Sequence, residues 1–77
     1  MTIRLHEEVV LARDVPEEGL RQGDLGTVVH VYPRGGVEVE FFTAAGKTRA
    51  VVTLSLEDVR LATDYEVVSV RALESTG

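Results

Sequence analysis

The chain has no cysteine, so no disulfide can staple it and no thiolate can bind a metal. It is poor in positive charge. Eight Lys and Arg stand against thirteen Asp and Glu, a formal charge of −5. Nucleic-acid binding depends on neutralising phosphates with Lys and Arg, and this balance argues against it. The bases do not cluster either: Arg4, Arg13, Arg21, Arg34, Lys47, Arg49, Arg60 and Arg71 are scattered along the sequence. No apolar run is long enough to span a membrane, and Met1–His6 has no signal-peptide character, so a cytoplasmic location is expected. Internal repeats and low-complexity stretches are also missing.

Reactive constellations are lacking too. His6 and His30 are the only histidines and have no fixed spacing to an acid, so no metal site is expected. His30 reads as a partly exposed strand residue. Ser55 reads as a helix cap, and Ser69 and Ser75 have no histidine nearby in sequence. Asp24 stands between two glycines, a turn position rather than that of a general base. Gly23, Gly26, Gly35, Gly36 and Gly46 form no phosphate-binding loop, because Gly46-Lys47-Thr48 stands alone and opens a strand; they read as turn glycines. An enzyme is therefore not expected, nor is a cofactor.

What is present is the pattern of a small β domain. A chain of 77 residues makes a single domain that buries about 60% of its unfolded surface. The 44% hydrophobic content is that of a globular protein. Val9–Ala12 is a short β-branched strand. Arg13–Gly23 reads as a polar loop pinned by Leu20, in which Pro16 ends any helix. A turn at Gly23–Gly26, with Asp24 bonding its own following backbone, leads into a Thr27–Tyr32 strand whose apolar residues fall on both faces. Such a strand suits a small, sharply curled barrel.

Val37–Phe41 alternates cleanly, with Val37, Val39 and Phe41 inward, and Thr48–Leu54 is its expected partner. Opposed residues share a face, so Phe41 must stand opposite Thr48 or Ala50, never Arg49. Pairing it with Thr48 sets Val39 opposite Ala50, Val37 opposite Val52 and Glu40 opposite Arg49, and leaves a turn at 43–46 closed by left-handed Gly46. Ser55-Leu56-Glu57-Asp58 has capping-box spacing and should begin one helical turn before a Val59–Ala62 strand. β-branched residues dominate Tyr65–Arg71, which reads as a further strand.

The architecture expected is an all-β, five-stranded SH3-like barrel over residues 1–62, with one helical turn before the last strand. Residues 63–77 are expected to form a strand-like C-terminal extension. The segment Leu20-Arg21-Gln22-Gly23-Asp24-Leu25-Gly26-Thr27-Val28-Val29 resembles the core motif of a family of small bacterial proteins, domain of unknown function 4926. Val9-Val10-Leu11, Pro16-Glu17-Glu18-Gly19, Val37–Phe41, Gly46-Lys47-Thr48 and Thr53-Leu54 extend the resemblance over residues 5 to about 62. It implies little about function beyond an antitoxin-like or immunity-like partner of a neighbouring gene product. Gly26-Thr27-Val28-Val29-His30-Val31 is also similar to the turn and strand of KOW domains, but the basic RNA-binding loop is lacking. Leu11–Asp14 reads Leu-Ala-Arg-Asp where a polyproline-binding groove would need tyrosines.

The function expected is a protein-binding module, with a KOW-like nucleic-acid module as the alternative. Glu38 and Glu40, with Glu17 and Glu18, could attract a basic partner, or could guard an exposed strand against edge pairing. The derived register puts Phe42 and Val51 on the outer face. Together with Tyr32, and with Tyr65 and Val67 of the tail, they are the candidate partner-binding residues. The tail strand either helps to build a homodimer or folds back on its own barrel.

Overall fold

The computed structural model describes residues 3–42 and 48–68. Five strands, β1 (Glu8–Leu11), β2 (Leu25–Val31), β3 (Gly36–Phe42), β4 (Thr48–Ser55) and β5 (Val59–Leu61), form one antiparallel sheet in the order β4-β3-β2-β1-β5. Single 3-10 turns occur at Pro16–Glu18 and Leu56–Asp58, and a five-residue helix, α1 (Asp64–Val68), follows β5.

Every strand contributes inward apolar side chains, and one cluster collects all five. Val9 and Leu11 of β1, Val28 of β2, Val37, Val39 and Phe41 of β3, Val52 and Leu54 of β4 and Val59 of β5 pack together. No helical layer is needed to cover them, because the sheet curls around its own side chains in the manner of a small barrel. Each fully buried Val, Leu or Phe contributes roughly 1.5–3 kcal/mol.

The loop between β1 and β2 is pinned at two points rather than one. Val15 is as buried as Leu20, and their backbones exchange hydrogen bonds of 2.9 and 3.1 Å around the Pro16–Glu18 turn. In the turn before β2, Asp24 is 1% exposed, and its Oδ2 accepts from the Arg21 N–H at 2.9 Å. Gly23 and Gly35 have positive φ, as turn glycines should. Gly26 does not: it lies inside β2, and a Cβ there would meet Val39 Cγ1 at 2.5 Å and Phe41 Cδ1 at 2.9 Å. It is a close-approach glycine, not a turn glycine.

The β3–β4 pairing keeps the expected faces but moves by two residues. Phe41 stands opposite Ala50, Val39 opposite Val52, and Val37 opposite Leu54. Glu40 therefore faces Val51, not Arg49. A period of two fixes which face a residue shares and leaves two-residue shifts open. The observed register brings Leu54 over Val37 into the core, and an irregularity between Phe41 and Phe42 absorbs the shift by pairing Phe42 with Thr48. The expected turn at 43–46 and the left-handed Gly46 lie outside the described residues. In β2 a second irregularity, between Val28 and His30, ends the regular alternation, and Val29 and Val31 are exposed.

The expected tail strand is overturned at its start, since Asp64–Val68 is helical and the Val67 N–H bonds the Thr63 carbonyl at 3.1 Å. Thr63 followed three residues later by Glu66 has capping-box spacing, a helix-start signal that competes with the β-branched composition of the segment. Ser69 to Arg71 lie outside the described residues.

The turn between β4 and β5 forms as its sequence suggests. Asp58 accepts from the Ser55 backbone N–H at 3.2 Å, and its carboxylate also takes Arg13 Nε at 2.9 Å. The Arg13 hydrogen bond leads the causes that hold the Asp58 carboxyl below its ordinary 3.8, while burial opposes them. Folding thus favours the ionised form. Its contribution is complete above the unfolded pKa and is lost as pH falls through the lower folded value. Asp58→Asn should cost about 1 kcal/mol at neutral pH. The gap in melting temperature between wild type and variant should narrow below pH 3.8, which thermal melts across pH would reveal.

Candidate functional site: the outer face of β2–β4

Strand pairing assembles on the convex side of the sheet a set of residues far apart in sequence. Across the middle run Val51 of β4, Glu40 of β3, Thr27 of β2 and Glu8 of β1, each opposite the next. The next row carries Thr53, Glu38 and His30. Thr27 Oγ1 donates to Glu8 Oε2 at 2.9 Å, which fixes that carboxylate on the face. Val51 is 53% exposed at the β4 side.

Tyr32 closes one end. Its N–H bonds the Gly36 carbonyl at 2.8 Å, and its ring meets that of His30 edge-on at 4.4 Å. Hydrogen bonding to Glu38, with partial desolvation and that carboxylate's charge, raises the phenol pKa. Phe42, half-buried, lies at the other end of β3. Three of the five candidate residues, Tyr32, Phe42 and Val51, therefore share one face. Tyr65 and Val67 do not join them through any hydrogen bond or ring contact among the described residues. They are exposed on α1, which follows β5 at the other end of the strand order.

The acidic residues divide in the same way. Glu17 and Glu18 are exposed on the loop turn, away from the strands. Glu38 and Glu40 project from β3, a strand paired on both sides, so they guard no sheet edge. Glu8 was missed in the sequence. Its alternation with Val9 signals an outward position, but only the β1–β2 pairing sets it beside Thr27.

The histidines lie apart in character. His6 occupies a left-handed backbone position in the N-terminal segment and donates its N–H to the Val28 carbonyl at 2.7 Å, whereas the exposed His30 is on the outer face. Among the described residues no three His, Asp or Glu side chains come together as a metal-binding group. No described helix is long and apolar enough to cross a membrane.

A family model described as Domain of unknown function (DUF4926) matches residues 5–61. The chain belongs to this family. No curated protein and no solved structure matches it. The DUF4926 match spans all five strands and ends at Leu61, so the outer face lies inside the family region and α1, with Tyr65 and Val67, lies beyond it.

Proposed function

We propose that this DUF4926 protein is a binding module for another protein, and that the outer face of β2–β4 receives a segment combining basic and apolar side chains. The observation behind this reading is the position of Glu38 and Glu40. On a central strand their charges have no edge to protect, and Glu40 stands directly opposite the exposed Val51 with Glu38 in the next row. An exposed apolar side chain beside carboxylates suits a segment that carries both apolar and basic groups. Acidic charge selects a basic partner and repels nucleic-acid phosphates. An antitoxin-like or immunity-like protein in the cytoplasm, covering a basic surface on the product of a neighbouring gene, is the form of such binding that suits this face. The role requires no catalysis.

The test uses a synthetic peptide alternating lysine and valine, followed by calorimetry. Binding should weaken with salt, and the double variant Glu38→Gln/Glu40→Gln should lose about 1 kcal/mol, roughly fivefold in affinity. Equal affinity in the variant would reject the face, and a salt-sensitive gel shift with RNA would favour the nucleic-acid alternative.

A further inference from the structure

The two edges of the sheet are unlike. β5 is three residues long, with Arg60 at its centre, the short and charged kind of edge that discourages pairing. β4 is eight residues long, and Ala50-Val51-Val52-Thr53-Leu54 within it carries no charge and no proline. Among the described residues β4 has a strand partner on one side only, β3. The direction of its peptide groups follows from two hydrogen bonds. The Leu56 N–H continues the β3–β4 ladder to the Gly35 carbonyl at 3.1 Å, while the Ser55 N–H turns the other way, to Asp58. Alternation along an antiparallel strand then turns the peptide groups of Leu54 and Val52 toward β3, and those of Thr53 and Val51 toward the open edge.

We infer that β4 pairs antiparallel with β4 of a second copy of this chain, about a twofold axis at Val52. This edge is independent of the outer-face reading above. The axis sets Val51 opposite Thr53 of the second copy and Val52 opposite Val52, so all four edge-facing groups of Val51 and Thr53 on each chain find partners. No like charges meet in the paired stretch. The ends are complementary as well. The strand's one basic residue, Arg49, lies near its start, and Glu57 follows its end, so antiparallel pairing brings the basic end of one copy toward the acidic end of the other. A self-complementary patch of this kind builds a closed dimer rather than a fibre. The two outer faces would then join into one six-stranded surface with Val51 and Thr53 of both copies at its centre.

The double variant Val51→Lys/Thr53→Lys tests this with little risk to the monomer. Both positions are exposed, and within the chain they stand opposite Glu40 and Glu38, so each lysine gains a favourable cross-strand partner. Across the twofold axis the lysines would face each other. Sedimentation of the wild type should show a concentration-dependent dimer, and the variant should sediment as a monomer with unchanged circular dichroism. Hydrogen exchange on the wild type gives a second readout that needs no substitution. The Val51 and Thr53 amides should exchange slowly under dimer conditions and quicken on dilution. A wild type that stays monomeric up to about 1 mM, a natively folded variant that remains a dimer, or fast exchange of both amides in a dimer would each overturn the inference.

Discussion

Phe41→Ala should lower the melting temperature by about 20 °C or more, or leave the chain unfolded at room temperature. Phe41 is the largest of the fully buried side chains and stands opposite Gly26 on one side and Ala50 on the other. Those two small neighbours make room for the ring, and neither can extend to fill the space it would leave. Truncating a buried phenylalanine costs about 3–5 kcal/mol. A domain of this size has a total stability of roughly 4–12 kcal/mol, so the loss is a large fraction of the whole. Val51→Ala, at an exposed position one strand away, should change stability by less than about 0.5 kcal/mol. Thermal melts of the two variants side by side decide the point. A Phe41→Ala protein melting within a few degrees of wild type would mean that the ring is not in the core.

Gly26→Ala, the addition of one methyl group, is the second large effect. The new Cβ would press on Val39 Cγ1 and Phe41 Cδ1, both in wholly buried residues, and would come within 3.0 Å of the Glu40 carbonyl oxygen. Backbone cannot swing aside as a surface side chain can. Overpacking of this kind costs about 1–3 kcal/mol, a fall in melting temperature on the order of 10 °C. Because the Phe41 ring is one of the obstructing groups, the two substitutions should couple. In a double-mutant cycle, Gly26→Ala should be milder in the Phe41→Ala background by about 1 kcal/mol. Strict additivity, or a Gly26→Ala protein as stable as wild type, would show that β2 and β3 do not approach so closely.

Gly26 also illustrates how far the sequence could be read. As a glycine two residues after Asp24 it reads as part of a turn. That it lies within a strand and leaves room for Phe41 depends on β2–β3 pairing, which is non-local. The strands themselves were legible from β-branched runs and alternation, and so were the inward faces of Val37, Val39 and Phe41. The β3–β4 register was legible only to within two residues, because period-two patterning repeats at that step. Burial of Leu54 favours the observed register. In the tail, composition pointed to a strand while Thr63 and Glu66 carried a helix start, and the local signal prevailed over Asp64–Val68.

For the site, alternation sufficed to put Phe42 and Val51 outward. It could not show that β3 is central and β4 an edge, a matter of strand order. That order removes edge protection as the reason for Glu38 and Glu40, and among the described residues it leaves β4 with a strand partner on one side only.

The most direct test of the binding role is to record amide chemical shifts of the isotope-labelled protein during titration with the lysine–valine peptide. Shifts should concentrate at Thr27, His30, Glu38, Glu40, Val51 and Thr53, leaving the Arg13–Gln22 loop and β5 unmoved. No shifts at saturating peptide, or shifts confined to that loop and to β5, would contradict the assignment of the outer face as the binding surface.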